Sequence, residues 1–298
     1  MIPIFQQREF GDKVNATFQY IAKQFQSLGA ALLYIVGPVA LLAGIASGIM
    51  QSNMLRLIGE SGNANTRDFA AAFQLAGFFA SPSFWLSMLL GIVANVAVIL
   101  VVFTHMKRYA NQLLNPAPIS VGEVWADMQP AIGRVLLLTV IVSIVSGVAT
   151  MFFIVPGIYL FVVLSLAPAI AVFEETDFGQ TWNRCFALIR DKWWSTLGLI
   201  IVMAIIAVII STIFSIPNAV IGFLVGATQK TDRLTSWLLI GNVISVVGQT
   251  LLYSLIYVAI GFQYGNLVER QEGRGLLSAI DQIGRPSTQP RALDEGEQ

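Results

Sequence analysis

Six long apolar runs separated by polar segments dominate the chain, at residues 28–50, 84–104, 133–153, 157–173, 195–216 and 237–262. Each approaches the roughly 20 residues that an α-helix needs to cross about 30 Å of hydrocarbon. The ten-residue alternation of a membrane barrel strand is absent. The predicted fold class is therefore all-α, a polytopic membrane protein with six transmembrane helices. Residues 135–173 form an almost unbroken apolar stretch, too long for one crossing. Pro156-Gly157 near its middle is expected to make a tight turn between two spans. Pro38 and Pro168 are expected to kink their helices.

The polar segments have a pattern of their own. Phe10-Gly11-Asp12, Val121-Gly122-Glu123 and Phe178-Gly179-Gln180 each open an amphipathic stretch that leads into a span. Ser120-x-x-Glu123 reads as a capping box, and Asp177-x-x-Gln180 as a looser one with Asp at the N-cap. Apolar positions then recur at helical spacing: Phe10, Val14, Phe18, Ile21 and Phe25 in the first, Phe178, Trp182, Cys185, Phe186 and Ile189 in the third. This predicts interfacial helices and three parallel repeat units, at about 8–104, 119–173 and 176–262, within one membrane domain over 1–275. Residues 217–236 are expected to lie in the outer interface or to form a re-entrant segment. The piece at 69–79 is expected to be interfacial too. The tail, 276–298, is expected to add an amphipathic turn or two and then a disordered run.

Composition agrees with a membrane chain: 56% apolar and 11% charged residues, with a mean hydropathy of +0.73. Of the 17 Lys and Arg, 13 fall on the side that carries both termini, which predicts termini in the cytoplasm. All six Trp (85, 125, 182, 193, 194, 237) sit beside proposed span ends, as amphipathic rings do. The first apolar run begins only at residue 28, so no cleaved signal peptide is expected. Zero formal net charge argues against a nucleic-acid partner. One cysteine excludes an intrachain disulfide, and one histidine makes a His-based metal site improbable. No nucleophile with its base, phosphate loop or metal motif is legible, so neither catalysis nor a cofactor is predicted.

The stretch PGIYL…LAPAIAVFEE…FGQTWNRCFALIRDKWWSTLG, within residues 155–198, resembles the membrane domain associated with glycerophosphoryl diester phosphodiesterases and related groups of bacterial membrane proteins. The matching features are Pro156-Gly157, Pro168 followed by Glu174, and the basic helix from Arg184 to Lys192. The resemblance implies a six-span bacterial inner-membrane protein. It implies no phosphodiesterase activity, because the soluble catalytic barrel has no counterpart in this chain.

Three sets of residues are candidates for function. Lys13, Lys23, Arg184, Arg190 and Lys192 on amphipathic helices suit anionic lipid headgroups, each charge being worth about 1 kcal/mol near such a surface. They suit ordinary positive-inside anchoring equally. Glu174 and Glu175, with Asp177, are read as a solvated stop signal, as an ion pair with Arg184, Arg190 or Lys192, or as a hard-cation site. Asn95, Asn242 and Gln249 within spans are read as interhelical glue or as the lining of a solute path. Gly44, Gly48, Gly241 and Gly248 permit close helix approach, within one chain or in a homo-oligomer. His105 is expected to face headgroups. The first functional expectation is a non-enzymatic inner-membrane protein engaging lipids or membrane partners. The second is a permease-like transporter of an amphipathic solute or lipid, with a polar-lined cavity meeting Asn95, Asn242 or Gln249.

Overall fold

A computed structural model describes residues 2–60, 77–112, 117–228, 231–275 and 277. The chain order is α1 (Phe10–Lys23), α2 (Phe25–Ala31), a π-helical turn (Leu32–Val36), α3 (Gly37–Glu60), α4 (Pro82–Asn111), α5 (Val121–Met128), a 3-10 turn (Gln129–Ala131), α6 (Ile132–Phe152), α7 (Ile154–Leu164), α8 (Ala167–Phe173), α9 (Phe178–Ile189), α10 (Trp193–Thr228) and α11 (Thr231–Glu272). No strand occurs among the described residues. Among the described residues, six helical stretches are long and apolar enough to cross a membrane: Phe25–Asn53, Pro82–Asn111, Val121–Phe152, Ile154–Phe173, Trp193–Leu224 and Ser236–Glu272. This is the architecture of a multi-pass membrane protein. The six correspond one for one to the apolar runs.

Local sequence explains the breaks. Pro38 lacks an N–H, and the turn before it widens into a π-helix, closed by the Gly37 N–H on the Leu32 carbonyl. Pro168 falls at the second position of α8, after a break at Ser165 and Leu166. Both capping boxes form, at Ser120 with Glu123 and at Asp177 with Gln180. They satisfy the first N–H groups of α5 and α9.

Two expectations need correction. Pro156-Gly157 is not the turn. The chain reverses at Phe153, a single extended residue (φ −147°, ψ 105°) between α6 and α7. Pro156 lies in the first turn of α7, where its missing N–H has no intrahelical acceptor to lose. Gly157 lies just after it, against α6, where a Cβ would overlap the Thr150 backbone. Residues 217–228 are neither an interfacial nor a re-entrant segment, since α10 continues through Pro217 to Thr228. Pro217 removes one i→i−4 hydrogen bond inside the span Trp193–Leu224, and the apolar residues at 219–224 beyond it carry the helix on. The segment 69–76 and the tail from 278 onward lie outside the described residues.

The long helix α11 is the axis of the bundle and packs on α10, α3, α4 and α1. The tightest core lies toward the ends of the spans that meet α1, α5 and α9, here the basic face. Phe103, Met106, Leu164, Leu166, Ile170, Phe262 and Tyr264 are fully buried there. The α6–α7 hairpin sits at the margin, and the span containing α6 is the least buried of the six. Residues 2–9 run across the basic face: the Ile2 N–H donates to the Tyr109 hydroxyl (2.9 Å) and the Arg8 N–H to Asn266 Oδ1 (3.1 Å). The Ile4 carbonyl rests on Gly265, at a place no Cβ could share.

Candidate functional site

A pocket of about 610 Å³ opens on the basic face between the end of α4, the start of α6 and the end of α8. Three cations line it. The Lys107 ammonium donates to the Val172 carbonyl (2.8 Å) and to Glu175 Oε1 (2.6 Å). Arg108 bonds Asp127 Oδ2 (2.6 Å) through one Nη and Glu123 through the other. Arg134 Nη1 donates to the Glu175 carbonyl (2.7 Å). These contacts hold Glu175 in a left-handed conformation (φ 56°), uncommon for a residue with a side chain. The Lys107 hydrogen bond holds the Glu175 carboxyl below its ordinary value.

Several donors in the pocket remain unused. Arg108 Nε, Arg134 Nε and the hydroxyl of Thr104, a residue only 3% exposed, have no partner. An unpaired buried polar group costs about 1–3 kcal/mol, so the site has something to gain from an acceptor. The carboxylates already present are weak competitors. Glu175 and Asp127 are exposed at the rim (side chains 70% and 44% exposed), and exposed ion pairs are worth about 0–1 kcal/mol. Guanidinium forks with a nearby ammonium suit a phosphate-type oxyanion.

The residues singled out from sequence divide sharply. Glu174 and Glu175 do form ion pairs, but with different partners. Glu174 takes Arg184 (3.1 Å) and Arg274 (3.9 Å), and accepts a hydrogen bond from the Tyr264 hydroxyl (2.8 Å). Glu175 takes Lys107. Neither meets Arg190 or Lys192. Asp177 is the N-cap of α9.

Two of the five lipid-headgroup candidates point inward, which corrects that expectation. Lys13 is 2% exposed, its ammonium bonded to Gln263 Oε1 (2.8 Å) and Ser195 Oγ (3.0 Å). Arg184 is committed to Glu174 and Glu272. For Lys13 the reason is the direction of α1: its polar face, Lys13, Thr17 and Tyr20, packs on the span ends, while Phe10 and Phe18 face outward. Lys23 and Arg190 are exposed and Lys192 is half-buried.

The intramembrane amides bond across helices. Asn95 Oδ1 accepts from the Tyr257 hydroxyl (3.1 Å). Asn242 Nδ2 donates to the Gly44 carbonyl (2.9 Å) and Ser47 Oγ (2.8 Å), and Gln249 Nε2 to Ser215 Oγ (3.2 Å). Such bonds are worth around 0.6 kcal/mol each in a membrane. The glycines pack within the chain: Gly44 against Val243, Gly48 against Asn242 and Leu239, Gly241 against Asn218, Gly248 against Phe214.

His105 does not face headgroups. It is fully buried, with Nδ1 2.6 Å from the Tyr20 hydroxyl and Nε2 3.0 Å from Ser27 Oγ. Burial raises the Tyr20 pKa well above its ordinary value, so the phenol stays protonated. Cys185 is also buried, which pushes its thiol up to about 12, with Glu174 adding to the shift. It is inert packing.

Burial first, then the nearby Arg270 and Lys192 charges, lower the Lys13 ammonium to about 8 from an ordinary 10.5. Below pH 8 the folded and unfolded chains are both protonated here, and the cost of burying the charge is present in full. Between about 8 and 10.5 the unfolded chain binds more protons, so stability rises with pH. Wild type is thus expected to gain thermal stability relative to Lys13→Met across that window. A pH-independent difference in melting temperature would show that Lys13 does not titrate there.

The chain matches no protein-family model, no curated protein and no solved structure.

Proposed function

We propose that this is a non-enzymatic membrane protein that engages phosphate-bearing lipid headgroups at its basic face. The observation that carries the proposal is the pocket of Lys107, Arg108 and Arg134, with two guanidinium Nε groups and the Thr104 hydroxyl left without acceptors. Its position supports a lipid: Thr104, Lys107 and Arg134 lie on spans, and Lys107 and Arg134 both bond Glu175 in the link between α8 and the interfacial helix α9. Lys23, Arg190 and Lys192 are available to the anionic surface around it, beside the exposed rings of Phe25 and Trp194. The proposal includes a bacterial inner-membrane location, with the basic face and both termini in the cytoplasm. It also includes kinship with the membrane-domain group that residues 155–198 resemble, and three repeat units headed by α1, α5 and α9.

Native mass spectrometry of the gently solubilised protein, with lipid identification, tests the pocket. Wild type is expected to retain an anionic phospholipid. Arg108→Ala with Arg134→Ala is expected to lower retention by about tenfold or more, because charge-assisted hydrogen bonds of roughly 1.5–3 kcal/mol each are lost. Arg190→Gln with Lys192→Gln is expected to change it by about threefold at most, in keeping with exposed surface charges. Equal retention by wild type and the Arg108, Arg134 variant would reject the pocket as the headgroup site.

A further inference from the structure

Buried polar atoms without partners are rare in folded proteins, and here all but one of those among the described residues lie on α4 and α6. Among the described residues six side chains carry one: Thr104, Arg108, Arg134, Thr139, Ser146 and Asn218. The first three line the basic pocket. Thr139 lines a second hollow, of about 560 Å³, between α4 and α6, where Asn95 and Ser143 also face. Ser146 lines a third, of about 620 Å³, between α6 and α7, together with Ser143 and Thr150. Ser143 is common to the second and third hollows.

Thr139, Ser143, Ser146 and Thr150 follow one another at spacings of four, three and four, which places all four on one face of α6. From Arg134 to Thr150 the helix rises roughly 24 Å at about 1.5 Å per residue, most of the about 30 Å of hydrocarbon. Hydroxyls alone would be an ordinary feature of a membrane helix. The second observation is that the Ser146 hydroxyl, on a residue 7% exposed, has neither a protein partner nor the usual bond to its own helix. The rim is apolar and open: Met88, Ile144, Met151 and Phe161 are about half or more exposed.

We infer that α4, α6 and α7 form a lateral groove along which the phosphate-bearing headgroup of a phospholipid passes between leaflets while its acyl chains stay in the hydrocarbon. The inference rests on the headgroup pocket proposed above, which serves as the mouth of the groove, and adds to it a path across the membrane. The hydroxyls of α6 and the Asn95 amide replace the water that a headgroup loses on leaving the interface. The groove is neutral beyond Arg134, so the headgroup is held firmly at the mouth and loosely along the path. No step needs an energy source, and transit runs in both directions. A solute without tails gains nothing from a slot open to lipid along its length, so a phospholipid is the occupant committed to.

The test is transbilayer movement in proteoliposomes of phosphatidylglycerol and phosphatidylethanolamine, read with a headgroup-labelled fluorescent phosphatidylethanolamine and a membrane-impermeant quencher. Wild-type protein is expected to make the inner-leaflet label accessible, while protein-free vesicles keep it protected. Thr139→Val, Ser143→Ala and Ser146→Ala together are expected to slow transit by about tenfold or more, since each bond to a charged phosphate is worth a factor of that order. They are expected to leave phospholipid retention at the pocket unchanged. Ser143→Phe, at the exposed junction of two hollows, provides a separate block that does not touch the core. Wild-type vesicles no faster than protein-free ones would overturn the groove, even with retention intact. So would a triple variant and a Ser143→Phe variant both as fast as wild type. Loss of retention in the Arg108, Arg134 variant with transit unaltered would overturn the pocket as the mouth.

Discussion

Gly157→Ala is expected to be strongly destabilising. The turn between α6 and α7 is one residue, Phe153, so the two helices diverge from a shared point with no loop to absorb a displacement. At Gly157 a methyl group would overlap the Thr150 nitrogen and Cα, which are helix backbone and cannot swing aside. The hairpin must then splay, and the contacts of Val162, Val163 and Leu164 with the core follow. Overpacking typically costs 1–3 kcal/mol, and about 3 kcal/mol is expected here because the obstacle is main chain. The measurement is thermal unfolding of the detergent-solubilised protein. Gly147→Ala is the control, since nothing lies near that glycine and helix propensity favours alanine by about 1 kcal/mol. If both variants melt together, the close approach of α6 and α7 is not what holds the hairpin.

The features legible in the sequence are those set by one helix at a time. Mean hydropathy over 20 residues locates each span, because hydrocarbon thickness imposes a length. Ser120 with Glu123 and Asp177 with Gln180 could be read directly, because a capping box is closed within four residues. Features set by neighbouring helices were less legible. Periodicity shows that α1 has an apolar and a polar face, but near a membrane either can face the protein. Lys13 and Tyr20 therefore turn toward Gln263 and His105 instead of headgroups. Lys107, Arg108 and Arg134 read only as topology charges until α4, α6 and α8 bring them together. The hydroxyl row of α6 was present as a spacing, but hydropathy averaging hides four small polar residues among Leu, Val and Ile. A search for polar residues at helical period inside a span would have found it.

Glu174→Ala is expected to cost about 2–3 kcal/mol, because the fully buried Tyr264 hydroxyl loses its acceptor, at roughly 1–3 kcal/mol, and the partly buried pair with Arg184 adds less. Glu174 is the point at which the end of α8, the start of α9 and the end of α11 are tied. It receives Arg184 from α9, the Tyr264 hydroxyl from α11, and Arg274 just beyond it. Its side chain is 11% exposed. Without the carboxylate, Arg184 keeps Glu272, but the Tyr264 hydroxyl loses its acceptor in a fully buried position. Glu175→Ala removes a carboxylate of the same charge one residue away, and the contrast decides what matters. Its pair with Lys107 is exposed, and about 0–1 kcal/mol is expected from its loss. Replacing the left-handed Glu175 by Ala leaves the backbone strain unchanged. Thermal unfolding of the two variants in one detergent separates them. Comparable losses would mean that net charge at the end of α8 matters and the three-helix tie does not. A large loss at Glu174 alone identifies that carboxylate as the lock between the hairpin and the bundle axis. Such a lock would keep the groove wall of α6 and α7 in register with α11.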